Sequence, residues 1–194
     1  PATRSRRHTS PSIGQQRASA MSRLSRAMAK LVANGQKVSI AETSAGGLIA
    51  ASLLAQPGAS KFFAGSVVCY TRPSKLKFLG LEAEKSKPTS TEPHAIELAS
   101  AIRDTLDSEW GIGETGVAGP APNSRGIAPG VCALAVVGPD IVKRKTLFPD
   151  DKLSDADAYG QPPKVPRDEA MRGFCDGAIN LLCDAVEAKY PDDA

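Results

Sequence analysis

The chain has 194 residues, of which 41% are hydrophobic, 23% charged and 5% aromatic, a composition typical of a globular domain with a sizeable core. No apolar run approaches the ~20 residues that a membrane-spanning helix needs, so the composition excludes a membrane span. The net charge is +3, but residues 1–41 hold eight of the 24 Lys and Arg residues and none of the 21 Asp and Glu residues. The rest of the chain is mildly acidic, which argues against nucleic acid as its partner.

The first 20 residues, PATRSRRHTSPSIGQQRASA, are rich in Arg and Ser and show no apolar periodicity. They predict a disordered basic leader or an organelle transit segment, followed by a single domain over residues 21–194. The predicted location is the cytoplasm, or a mitochondrion or other organelle if the leader is a transit peptide. The four cysteines lie in apolar contexts without a CxxC pair, which indicates buried free thiols in a reducing compartment.

Helical and strand patterns alternate along the rest of the chain. Elements are predicted as a helix over 22–33, a strand over 38–42, a helix to about 55, a strand over 65–70, a short helix over 74–80, a helix opening at Thr91-Glu92-Pro93, strands near 111–117, 130–138 and 141–148, and a last helix after Pro166. This order predicts a layered α/β domain, and the adjacent strands at 130–148 predict a hairpin and therefore a mixed sheet. Residues 149–166 are predicted to form a long polar loop.

The stretch AETSAGG (41–47) joins a predicted strand to a predicted helix. Gly46 and Gly47 allow backbone N–H groups to point at an anion at the positive end of the helix. Thr43 and Ser44 offer hydroxyls that suit a phosphate donor, a helix cap or a nucleophile, and the plain structural alternative is a cap with tightly packed glycines. A second small-residue turn, TGVAGPAPNSRG (115–126), favours an anion-binding cleft shared by both turns.

Other nucleotide and metal motifs are missing from the sequence. There is no GxxxxGK[ST] and no GxGxxG, so the phosphate-loop and dinucleotide-binding classes lack their motif. Only two histidines occur, and a zinc site or a Ser-His-Asp triad would have to use His94. No metal and no cofactor are therefore expected.

Four segments together resemble one known family. AETSAGG is similar to an A-E-S-x-T-G-G motif, and PGASKFFAGSVVCYTRPSK (57–75) to an A-G-S-S-x-x-F-x-x-G-x-V-x-Y-[ST]-N-x-x-K stretch. STEPHAIELA (90–99) resembles a V-S-x-x-x-A-x-x-M-A helix, and ETGVAGP (114–120) a V-T-G-I-A-G-P loop. These motifs, in order over about residues 21–189, are those of the CinA C-terminal domain family, the nicotinamide mononucleotide deamidases.

The resemblance implies a three-layer α/β/α sandwich with a mixed sheet and a homo-oligomer. It also implies a metal-independent amidohydrolase that converts nicotinamide mononucleotide to the acid mononucleotide and ammonia in pyridine-nucleotide salvage. The catalytic positions carried over are Ser60, Lys75, Thr43 and Tyr70. Ser60 would be the nucleophile and Lys75 its base, while Thr43 or Tyr70 would relay a proton or hold the oxyanion.

The nucleotide is expected to bind at the two small-residue turns and at the start of the last helix. The expected substrate-binding positions are Ser44, Gly46, Gly47, Thr115, Gly116, Gly119 and Arg167. The sequence departs from the family pattern at Ala45, at Thr43, where the family has serine, and in GPAPNS (119–124), where two glycines are lost. One alternative is therefore a member that binds a nucleotide without hydrolysing it, and another is a nucleic-acid-associated protein that uses the basic leader.

Overall fold

A five-stranded mixed sheet organises the chain in the computed structural model, which describes residues 13–149 and 165–192. The elements are α1 (Ile13–Ala33), β1 (Val38–Glu42), α2 (Leu48–Leu54), a 3₁₀ turn (Ala59–Lys61), β2 (Phe63–Val68), α3 (Arg72–Leu79), α4 (Glu92–Thr105), β3 (Trp110–Gly116), β4 (Cys132–Gly138), β5 (Ile141–Leu147) and α5 (Arg167–Lys189). The strand order is β2-β1-β3-β4-β5. β1 runs parallel to β2 and β3, whereas β4 is antiparallel to β3 and β5. The predicted mixed sheet and its hairpin are confirmed.

Helices cover both faces of the sheet, which gives three layers. On one face α1, α2 and α5 bury the larger apolar core against Ile40, Trp110, Ile112 and Leu134. On the other face α3 and α4 pack against Ala41 and Cys69 in a smaller apolar cluster. Because helices cover both faces of the sheet, β1 and β4 are buried at every position.

Helix α4 lies directly on the backbone of β3. A Cβ atom added at Gly111 or Gly113 would lie 2.0 Å from a carbonyl oxygen of α4, that of Ala99 or Ala95 respectively. Two glycines on this face of β3 therefore allow the close approach of helix and strand. The N-terminus of α4 is consequently held beside the C-terminal end of β3.

Most predicted boundaries agree with the structure to within two residues, with one larger difference. Helix α1 begins at Ile13, so residues 13–20, predicted as part of a disordered leader, are helical. Their alanines and glutamines favour the helix although no apolar period marks it. Residues 1–12 and most of the predicted loop at 149–166 lie outside the described residues. All four cysteines are free and buried, as predicted.

Candidate functional site at the C-terminal edge of the sheet

The side chain of Glu42 fills the turn after β1. Its carboxylate accepts hydrogen bonds from the backbone N–H groups of Gly47 at 2.8 Å, Ile49 at 3.2 Å and Ala50 at 2.9 Å. Burial raises the pKa of Glu42, and these three donors oppose that rise. The N–H of Gly47 is therefore directed into the protein, which corrects the expectation that it faces a phosphate: the chain supplies its own anion at the start of α2.

A second buried carboxylate, Glu114 of β3, holds the first half of the same turn. It accepts from the backbone N–H of Thr43 at 2.7 Å and of Ala45 at 2.9 Å, and the hydroxyl of Ser44 donates to its other oxygen. Ser44 and Gly47 thus stabilise the turn itself. Sequence reasoning missed the roles of Glu42 and Glu114. The sequence signal that could have revealed them is an acidic residue near the C-terminal end of each of two buried strands.

Two threonine hydroxyls lie together at the C-terminal ends of β1 and β3. Thr43 Oγ1 donates to the carbonyl of Glu114 at 3.2 Å, and Thr115 Oγ1 accepts from the N–H of Ser90 at 3.0 Å. Both threonines are buried. Gly116 has a packing role, because a Cβ there would lie 2.8 Å from Ser44 Oγ. Thr115 is therefore fixed between β3 and the start of α4, beside Thr43.

Lys75 is buried at the same edge of the sheet, with only 6% of its surface exposed. It lies on α3, which starts directly after β2 with a capping box between Thr71 and Ser74. Among the described residues its ammonium nitrogen makes no hydrogen bond and no salt bridge. Burial lowers the pKa of Lys75, and the charges of Glu114 and Glu97 oppose this. A buried, unpaired lysine with a depressed pKa is characteristic of functional sites.

Ser60 does not meet Lys75 within one chain. Ser60 is exposed in the 3₁₀ turn that precedes β2, whereas Lys75 follows that strand. β2 has six residues, and at about 3.3 Å per residue it separates its two ends by about 20 Å. The predicted Ser60–Lys75 pair is therefore not assembled in the protomer, because sequence proximity across a parallel strand places residues at opposite sheet edges.

Three of the predicted positions meet at the exposed rim of this edge. Arg167, the first residue of α5, donates from Nη2 to the hydroxyl of Tyr70 at 3.2 Å and from Nη1 to the carbonyl of Gly119. Tyr70 is 59% exposed and follows β2. Gly46 is also exposed, and a Cβ there would lie 2.8 Å from Met171 Cε of α5. Arg167, Tyr70 and Gly119 thus lie together at the edge of the sheet where β1, β2 and β3 end, and the buried residues Thr43, Thr115 and Lys75 follow or end the same strands.

A cavity of about 240 Å³ opens beside Lys75. It is lined by Arg72, Lys75, Leu76, Ser86, Lys87, Pro88, Thr89 and His94. No group of three or more His, Cys, Asp and Glu residues able to hold a metal occurs in 13–149 and 165–192. Over the same residues, none of the helices has the length and apolar character needed to cross a bilayer.

The fold and the residues at its strand ends define a three-layer α/β protein with a polar site where the parallel strands end. The chain belongs to the CinA C-terminal domain family, whose model matches residues 21–156. A CinA-like protein of Anaeromyxobacter sp. (strain K) is 34% identical over 157 residues, and one of Anaeromyxobacter dehalogenans (strain 2CP-1) is 38% identical over 157 residues. Each alignment covers 80% of this chain and 35% of the relative, so the chain spans about a third of these relatives' length.

Solved structures of the same superfamily share the fold. A CinA superfamily protein from Enterobacter cloacae has a TM-score of 0.73 at 18% identity, over 94% of this chain and 98% of the other. One from Klebsiella pneumoniae 700603 has a TM-score of 0.71 at 19% identity, over 87% and 98%. The predicted family and fold class are confirmed.

Proposed function

We propose that this chain is a metal-independent amidohydrolase that releases ammonia from nicotinamide mononucleotide. The family resemblance suggests the substrate, and the observation that carries the proposal is that Lys75 is buried without a hydrogen-bond or salt-bridge partner among the described residues. Burial lowers the pKa of Lys75, which raises the fraction of neutral amine and favours a role as general base. Four buried free thiols agree with the reducing compartment in which pyridine-nucleotide salvage is expected.

We assign the nucleophile to Thr43, whose buried side chain lies at the same end of the parallel strands as Lys75. Its Oγ1 attacks the carboxamide carbon, and Lys75 accepts the hydroxyl proton. The tetrahedral intermediate then breaks its C–N bond, and Lys75 returns the proton to the departing nitrogen as ammonia leaves. Water hydrolyses the remaining ester to the acid and frees Thr43. Tyr70 is proposed to hold the oxyanion or to relay a proton.

The assay that tests this function measures ammonia release from nicotinamide mononucleotide by the wild type, Thr43→Val and Ser60→Ala. We expect turnover by the wild type, a loss of about 10²–10⁴-fold in Thr43→Val, which keeps the side-chain shape, and little change in Ser60→Ala. Loss of activity in Ser60→Ala alone would instead place the nucleophile on a second copy of the chain, as the predicted homo-oligomer would allow. Absence of turnover by folded wild type would refute the function.

Arg167 is proposed to bind the substrate phosphate, because its guanidinium lies beside Tyr70 and Gly119 at the edge of the sheet where the parallel strands end. We expect Arg167→Met to raise KM for the nucleotide by about 10–100-fold with a much smaller change in kcat, since a charge-assisted bond to phosphate is lost. Arg172→Met is the matched control: Arg172 is exposed one turn further along α5 and pairs only weakly with Asp168 at 3.9 Å. Equal KM values for the two variants would contradict this role.

Nucleotide binding without hydrolysis is the second candidate function. It is favoured by the departures from the family pattern at Thr43, Ala45 and residues 119–124. Calorimetric titration of an inactive wild type with the amide and acid mononucleotides would distinguish this candidate from a protein with no nucleotide site.

A further inference from the structure

His94 is a buried histidine with one ring nitrogen that has no hydrogen-bond partner among the described residues. It lies on the first turn of α4, is 1% exposed, and its Nε2 has no hydrogen-bond partner among the described residues. Leaving a buried polar atom unpaired is costly, so such an atom requires an explanation. His94 lines the same 240 Å³ cavity as Lys75, which is also without a partner there. Two residues whose side-chain nitrogens lack a partner among the described residues therefore line one cavity.

The hydrogen bond made by the other ring nitrogen, Nδ1, determines whether Nε2 donates or accepts. Nδ1 lies 2.7 Å from the Oε2 atom of Glu97, which also accepts from the hydroxyl of Ser86 at 3.1 Å and the N–H of Lys87 at 3.0 Å. A carboxylate oxygen that accepts two other donors requires a proton on Nδ1. Burial and the nearby charge of Lys75 lower the pKa of His94, so the ring is neutral at neutral pH. Nε2 is then a bare acceptor.

The two nitrogens are complementary to one chemical group. Lys75 carries N–H donors whether its amine is neutral or protonated, whereas Nε2 of His94 accepts a hydrogen bond. A carboxamide offers both counterparts about 2.3 Å apart, an oxygen that accepts and an NH₂ that donates. A carboxylate offers only acceptors, and its second oxygen would face the lone pair of Nε2.

We propose that His94 is the residue that distinguishes amide from acid, its Nε2 accepting a hydrogen bond from the NH₂ group of the substrate carboxamide. This inference rests on the proposed function and names how the same site selects its substrate. Glu97 is the positioning residue that holds the ring in the required tautomer. When hydrolysis replaces NH₂ by a carboxylate oxygen, the contact is lost and the product is expelled.

The test compares binding of the amide and acid mononucleotides by calorimetry, in a Thr43→Val background so that no turnover interferes. We expect the unsubstituted His94 protein to prefer the amide. His94→Phe, which keeps a ring but has no acceptor, should reduce the ratio of the two dissociation constants by about 10-fold or more. His94→Gln, whose amide oxygen can accept near the position of Nε2, should retain most of the preference.

Thermal unfolding of each variant establishes that it folds, and His94→Leu serves as the acceptor-free variant if His94→Phe does not. An unchanged ratio in the folded acceptor-free variant overturns the inference, and so does failure of the parent protein to bind either nucleotide. A preference that depends on His94 without any ammonia release by the wild type supports the inference while refuting hydrolysis. The two proposals therefore fail by different measurements.

Discussion

Lys75→Met is expected to reduce ammonia release from nicotinamide mononucleotide by about 10²–10⁴-fold, because methionine fills the space of the lysine stem but cannot accept a proton. The control is Lys77→Met, since Lys77 is exposed two residues further along α3. Steady-state kinetics of the two variants check the result. Full activity in folded Lys75→Met would show that another group acts as the base.

The same substitution is expected to raise stability, which separates loss of function from loss of fold. The pKa of Lys75 is lower in the folded than in the unfolded chain, so the unfolded chain binds more protons. Lys75 therefore destabilises the fold at neutral pH, and this penalty disappears as pH rises towards the unfolded value. Urea unfolding should show Lys75→Met gaining stability over wild type at pH 7, with the gain shrinking as pH rises and lost above about pH 10.

The pH dependence of kcat/KM follows from the same shift. Lys75 acts as a base only when neutral, so the rate of the wild type should rise with pH through a pKa below the ordinary lysine value. A rate that falls over this range would contradict the assignment of Lys75 as base.

Gly113→Ala is expected to lower the free energy of unfolding by about 3 kcal/mol. A Cβ at this position would lie 2.0 Å from the carbonyl oxygen of Ala95 and 2.7 Å from the backbone nitrogen of Ala99, so α4 would have to move away from β3. The displacement would also shift Ser90 and His94 from the sheet edge. Urea unfolding measures the stability change, and ammonia release measures the effect on the site.

Gly173→Ala is the matched control for this prediction. Gly173 is exposed in α5, and a Cβ there would meet nothing within 4 Å. Alanine should therefore stabilise the protein by up to about 1 kcal/mol, because it restricts the unfolded chain and favours the helix. If Gly113→Ala were as stable as Gly173→Ala, the close approach of α4 to β3 would not be required for folding.

The positions of the strands and most helices could be predicted from local signals. β4 is an apolar run and β5 an alternating run, and a Gly-Pro-Asp turn separates them. Helix α4 begins at a threonine cap whose side chain accepts from the N–H of His94. Such signals depend on residues close in sequence. They do not reveal α1 over 13–20, where helix-forming residues lack an apolar stripe.

The sequence by itself determined the alternation of strands and helices, the mixed sheet and the family to which the chain belongs. Only the tertiary structure decided which groups share the site. It separates Ser60 from Lys75 by the length of β2, and it brings Glu114 to Ser44 and His94 to the cavity of Lys75. These contacts join residues far apart in the chain, and their chemistry depends on burial. Hydrogen bonding at the turn after β1 is likewise decided by two carboxylates, of which Glu42 lies within the AETSAGG stretch and Glu114 comes from the distant strand β3.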